Sequence, residues 1–279
     1  MFFCLALVRR GDSRFRRKEI FLTGAGASVI YWVYFFMMNE AESGMPGMVL
    51  SKREIVTQWV RIVAGLLVFA FGVHLTIFAN IGLAPWDCLG MGVAKHTPLN
   101  YGLSMTAMSV IIVVIDLLLK ERIGCGTVID ALLTGNFVQM FNDLNPMHNE
   151  NILLGTVIML TGFVIMALGM MIYMKAAQGC GPRDALLVGI GKRFPKIPIG
   201  IVQIVLLGIV LAAGWLLGGP VGIGTLISVF GAGLMMQLVY SILKFEPRAV
   251  RHRSFLEIIR ILAGQPDTSQ VRIPEDSKK

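Results

Sequence analysis

Apolar residues fill long windows of this chain, and polar residues are confined to short breaks between them. That pattern fits helices crossing a bilayer better than elements with one face in water. A crossing needs about 20 mainly apolar residues for about 30 Å of hydrocarbon. Six windows qualify once glycine is accepted inside them: Trp59 to Ala79, Gly102 to Leu119, Ile123 to Phe141, Ile152 to Met174, Ile199 to Leu217 and Val221 to Leu243. Two shorter runs, Pro85 to Ala94 and Pro182 to Gly191, are helix-like. They reach only about 15 Å at about 1.5 Å per residue, which predicts re-entrant or interfacial helices.

Loop charge gives an independent orientation, because Lys and Arg collect on the cytoplasmic side. With Lys52 and Arg53 inside, six crossings also put Lys120, Arg122, Arg183, Lys192, Arg193, Lys196, Lys244, Arg248, Arg251 and Arg253 inside. Only Lys95 falls outside. Making the two short runs cross would move Lys120 and Arg122 outside, so eight crossings fit less well. The expected location is a bacterial inner (plasma) membrane, with both ends of the core cytoplasmic.

Residues 1–50 resist this scheme. Ile20 to Met38 is long enough to cross, and Arg9, Arg10, Arg14, Arg16, Arg17 and Lys18 would hold its start inside. Crossing would then invert every later span. The segment lies on the surface, pairs with another crossing, or is outside the working protein, with translation starting at Met45 or Met48. A signal peptide is disfavoured, since no small-x-small cleavage site follows the apolar run. At the other end, residues 248–279 read as a basic amphipathic segment, with Ser254 to Ala263 at the interface, followed by a polar tail.

Composition agrees with a multi-pass membrane protein: 279 residues, 55% hydrophobic and 15% charged, with a mean hydropathy of +0.72. The net charge of +8 brackets apolar runs instead of clustering with aromatics, which argues against nucleic acid. Four cysteines without CxxC or Cys/His spacing give no metal site and no disulfide framework, and no cofactor is implied. The lipid bilayer is the expected partner, alongside a small polar solute; a homo-oligomer stays open.

The runs GLAPWDCLGMG, residues 82 to 92, and GCGPRDALLVG, residues 179 to 189, are copies of one motif. At an offset of 97, Gly65 matches Gly162, Gly72 matches Gly169, Gly82 matches Gly179, Pro85 matches Pro182 and Asp87 matches Asp184. At 98, Gly102 matches Gly200, Gly124 matches Gly222, Gly126 matches Gly224, Thr127 matches Thr225, Gly135 matches Gly233 and Gln139 matches Gln237. The ordered set defines a repeat, with units at 51–148 and 149–247. Three spans per unit is an odd number, so the second copy enters from the opposite side, as in many secondary transporters. The expected fold is all-α: six transmembrane helices as two inverted three-helix repeats, each with a short re-entrant or interfacial helix.

The runs GLAPWDCLGMGVA, YGLSM and IGCGTVIDALLTGNFVQMF resemble the YitT/YczE-type bacterial integral membrane proteins over about residues 58 to 245. That resemblance implies a multi-span inner or plasma membrane protein and supplies no catalytic residues; the N-terminal extension departs from the family's compact pattern.

Within the motifs, Ala84 and Gly181 fit N-cap positions, Pro85 and Pro182 the first helical position, and Asp87 and Asp184 the third, on unpaired helix N–H groups. In the functional reading these helix starts, with Trp86 in one copy and Arg183 in the other, face a cavity and bind a polar solute. Arg183 also fits as an inside-loop charge. Asp130 lies inside a span near Thr127, Thr134 and Asn136, and an embedded carboxylate is costly unless it faces a cavity or partner. It reads as a proton or cation site, or as a structural Asp bonded between helices. Gln139 and Gln237 line a pathway or bridge helices. Asp116 reads as an i,i+4 partner of Lys120, His74 as a packing residue and the methionines as apolar filling. Gly82, Gly124, Gly126, Gly179, Gly222 and Gly224 read as close contacts and hinges.

The leading function is a transporter or facilitator of a small polar or ionic solute. The alternative is a membrane scaffold or regulatory protein without transport. No GxSxG, HExxH or paired-carboxylate constellation supports an enzyme.

Overall fold

The computed structural model describes residues 52–121, 123–145, 149–176, 179 and 181–245. The apolar run at 20–38 and the segment at 254–263 lie outside them. Among the described residues the secondary structure is eight helices: α1 Lys52–Phe78, α2 Pro85–His96, α3 Tyr101–Leu118, α4 Cys125–Leu144, α5 Ile152–Met174, α6 Pro182–Arg193, α7 Ile199–Leu216 and α8 Ile223–Ile242. The all-helical expectation holds for this part of the chain.

Five of these helices, α1, α3, α5, α7 and α8, are long and apolar enough to cross a membrane. The sixth expected crossing, α4, has the length, with 20 residues, but Asp130, Asn136, Asn142 and Asp143 lower its hydropathy. The physical reason is where it packs: its small residues Gly126, Ala131 and Gly135 are buried, and part of its polar side lines an internal cavity.

At the centre α1 crosses α5. Gly65 sits against Gly169, and Gly72 against Gly162; a Cβ on Gly65 would stand 2.9 Å from Gly169 O, and one on Gly72 2.8 Å from Gly162 O. Rising numbers on one helix meet falling numbers on the other, so the two run antiparallel. Without a solvent-driven hydrophobic effect between helices in lipid, small residues that let backbones close in supply the packing. Fully buried Ile62, Ala70, Met159 and Ala167 extend the contact.

Around this crossing α4 packs on α1 and α8 on α5, while α2 packs on α7 and α6 on α3. The turns before α2 and α6 need glycine. Gly82 has φ +118° and Gly179 φ +126°, a region L side chains rarely adopt. Each also abuts the start of a distant helix. A Cβ on Gly82 would lie 2.6 Å from Gly222 N and 2.9 Å from Thr225 Oγ1; one on Gly179 would lie 2.6 Å from Thr127 Oγ1 and 3.1 Å from Gly124 Cα.

Helix starts follow local chemistry. Asn100 accepts from Leu103 N at 2.8 Å to cap α3, and Asn151 accepts from Leu153 N at 2.9 Å to cap α5. The helices α2 and α6 begin at proline after Ala84 and Gly181, positions where a missing N–H costs nothing. Each has 12 residues, about 18 Å at about 1.5 Å per residue. Exposed Ile204, Ile209, Leu226, Phe230 and Leu234 on α7 and α8 present apolar surface suited to lipid.

Candidate functional site

The C-terminal ends of the two short helices are held apart and their N-terminal ends meet. Gly92 of α2 lies against Leu217 at the end of α7, and Gly189 of α6 against Leu119 at the end of α3. Lys95 donates to Gly218 O at 2.5 Å, and Lys192 forms an ion pair with Glu121 at 2.6 Å. At the other ends, the Arg183 guanidinium carbon lies 5.3 Å from the Trp86 ring centroid, within cation–π range. Residues 86 and 183 are equivalent at the offset of 97, so the two copies of the motif touch through the same position.

A cavity of about 440 Å³ opens at this meeting point. It gathers Trp86, Asp87, Asp130, Arg183 and Asp184 from three separated stretches of sequence. Asp87 is 5% exposed and accepts a hydrogen bond from Tyr101 Oη at 2.9 Å. Asp87 and Asp184 stand in the first turns of α2 and α6, and the Asp87 carboxylate is engaged by a tyrosine on α3. Asp130 Oδ1 accepts from Thr134 Oγ1 one turn along α4. Its Oδ2 faces the backbone at Gly181, where a Cβ would stand 3.0 Å from it and 3.6 Å from Asp184 Oδ2. Glycine before Pro182 therefore lets two carboxylates converge on the start of α6.

Arg183 Nη2 donates to Met105 Sδ at 3.9 Å, and Met105, Met166, Met170 and Met236 form much of the apolar wall. Tyr240 adds a hydroxyl that is buried without a hydrogen-bond partner among the described residues. Three carboxyl groups thus face one guanidinium. Carboxyl groups outnumber the guanidinium three to one, and the polar end is backed by aromatic and thioether surface, a combination that suits a solute with an N–H-bearing cationic group. Among the described residues no three His, Cys, Asp or Glu side chains cluster as metal ligands.

The remaining candidates lie elsewhere. Gln139 accepts from Gly102 N at 3.1 Å and donates to Asp143 Oδ1 at 2.7 Å, bridging α3 and α4. It borders a second cavity of about 220 Å³ with His74 and Asn142, whose side chains meet at 2.6 Å. Gln237 is exposed on α8. Gly124, Gly126, Gly222 and Gly224 form the starts of α4 and α8, outside the cavity wall. Asp116 does not pair with Lys120. It is fully buried, neither carboxylate oxygen has a hydrogen-bond partner among the described residues, and Lys120 leaves the helical path with φ +60°.

Sequence reading missed Tyr101, Tyr240 and the cavity methionines. The repeat offset carried a signal for some of them: Val73 and Met170, Met105 and Gln203, and Val138 and Met236 are equivalent pairs, and all six residues line the cavity.

Comparison with known proteins gives the family. A profile described as a family of unknown function (DUF6198) matches residues 56–241. The uncharacterized membrane protein YczE of Bacillus subtilis is 31% identical over 192 residues, covering 67% of this chain and 86% of that protein. An uncharacterized protein of Haemophilus influenzae is 30% identical over 183 residues, covering 65% and 83%. The uncharacterized protein YyaS of Bacillus subtilis is 28% identical over 192 residues, covering 67% and 92%. No solved structure matches. The matched span runs from the first described helix to the last, and with it the chain belongs to the DUF6198 family of YczE-type membrane proteins.

Proposed function

We propose that this protein carries a small solute bearing positive charge across a bacterial inner membrane, by rocking of two inverted halves about the cavity. The observation that carries this reading is the makeup of the cavity wall. Trp86 touches its own repeat counterpart Arg183, and Asp87 with Asp184, Met105 with Gln203 and Val138 with Met236 come from equivalent positions. A site built symmetrically from both halves near their meeting point is the arrangement of inverted-repeat carriers.

In this reading α4 is the sixth crossing. Its 20 residues give about 30 Å, and its polar groups are tolerated because they face the cavity and neighbouring helices. The helices α2 and α6 are half-membrane elements entering from opposite sides, and the Lys- and Arg-rich loops lie in the cytoplasm. The antiparallel crossing of α1 and α5 supports the inversion. Arg183 on the Trp86 face holds a cation position inside the cavity, next to the carboxylates a solute cation would use.

The test is a thermal-shift screen of the purified full chain with small ammonium, guanidinium, carboxylate and neutral compounds, followed by liposome uptake with and without a pH gradient. Ammonium or guanidinium compounds are expected to stabilise the protein and to be taken up. Asp130→Asn is expected to weaken that response at least about tenfold, the loss of one charge-assisted contact. Stabilisation confined to anions, or an unchanged Asp130→Asn variant, contradicts the proposal.

A further inference from the structure

Two helix pairs at equivalent places in the chain differ in how closely they pack. Helices α3 and α4 are closed on each other. A Cβ on Gly102 would stand 2.6 Å from Gln139 Cβ, and one on Gly135 would stand 2.6 Å from Gly102 O. Gly102 lies in the first turn of α3, where N–H groups have no acceptor within the helix. Its N–H donates to Gln139 Oε1 at 3.1 Å, so the glutamine latches the two helices.

The offset of 98 turns Gly102, Gly135 and Gln139 into Gly200, Gly233 and Gln237 on α7 and α8. Those three residues do not meet. Nothing lies within 4 Å of a Cβ built on Gly200 or on Gly233, and Gln237 is exposed. Gly200 also sits in the first turn of its helix, and its N–H has no protein acceptor among the described residues. Every other helix pairing in the centre has its counterpart: α1 with α4 and α5 with α8, α2 with α7 and α6 with α3. The asymmetry is confined to one pair, and the cavity borders it, since Gln203 and Leu207 of α7 and Met236 and Tyr240 of α8 line the wall.

We infer that Gly200, Gly233 and Gln237 are the second of two alternating closures, with Gln237 set to accept the Gly200 N–H when α7 and α8 come together. The inference rests on the inverted-halves reading above. The structure is then one end state, latched at α3 and α4 and open between α7 and α8. The opposite state exchanges them: Gln237 binds Gly200, Gln139 releases Gly102, and the cavity faces the other side. Glycines exposed within apolar helices, weak helix formers with no partner here, gain a purpose as the landing surface of that closure.

Two substitutions of the full chain test this. Gly200→Leu has room in the present state, so folding and thermal stability are expected to stay as in the parent. Its side chain blocks the approach of α8, and solute turnover is expected to fall at least about tenfold. In the double variant Gly200→Cys and Gln237→Cys, the residues approach closely in the second state, within reach of a disulfide, which needs Cβ atoms about 3.5–4.5 Å apart. Oxidation in membrane vesicles is expected to cross-link α7 to α8. The cross-link is expected to bar a membrane-impermeant thiol reagent from a reporter cysteine at Gln203, and reduction to restore its access. Failure of that pair to cross-link, or cross-linking with reporter access unchanged, overturns the closure whatever the transport result. Cross-linking that shuts access in a protein moving no tested solute leaves the closure standing and removes the transport reading.

Discussion

Asp87 and Asp130 show what single residues contribute. Asp87 sits almost wholly buried, and one of its oxygens is held by Tyr101 from a neighbouring helix at 2.9 Å. Removing that donor leaves a buried acceptor unsatisfied, at a cost of about 1–3 kcal/mol. Tyr101→Phe is therefore expected to lower the thermal midpoint of the detergent-solubilised protein. Thr134→Val, which strips a donor from the partly buried Asp130, is expected to act chiefly on solute response. Equal destabilisation by both would contradict that division. The five charged and aromatic cavity candidates were legible because charge inside an apolar window is expensive and so conspicuous. Tyr101 was not: its repeat counterpart is Ile199, and nothing in its separation of 14 positions from Asp87 announces the bond. The Asp116–Lys120 pairing failed because i,i+4 spacing presumes a helix that continues, and α3 ends at Leu118.

At the scale of helices, the crossing of α1 and α5 depends on glycines with no spare room. A side chain at Gly72 would meet Gly162 O at 2.8 Å and Met166 N at 2.7 Å. Overpacking of that kind costs about 1–3 kcal/mol or more, so Gly72→Leu is expected to lower thermal stability or prevent folding. Gly208→Leu, on α7 with nothing within 4 Å, is expected to leave it unchanged. A melt showing the same loss for both would remove the claim that this crossing is the packing centre. The starts of α2 and α6 were readable because proline fits only the first turn of a helix. Their ends fell two residues late, at His96 and Arg193 instead of Ala94 and Gly191. A hydropathy window stops at the first charge, whereas Lys95 and Lys192 complement the carbonyl end of a helix dipole and let it continue. The same effect hid the end of α4, where Asn142 is held by His74 and the helix runs on to Leu144.

For the molecule as a whole, the two halves share a motif, an offset and a cavity, and they differ at one helix pair. The offset was legible from glycine, proline and aspartate positions. Which pairs close was not, because Gly102 and Gly200 are the same residue type in similar windows, and only three-dimensional contact separates them. The antiparallel crossing, the shared cavity and the one-sided latch all acquire a function only if the halves enter the membrane from opposite faces. That orientation is open to direct measurement. Single cysteines replacing Thr97, after α2, and Pro195, after α6, both exposed, can be labelled with a membrane-impermeant thiol reagent in intact cells and in inverted vesicles. The account predicts that position 97 reacts only from outside and position 195 only from inside; labelling of both from the same side contradicts it.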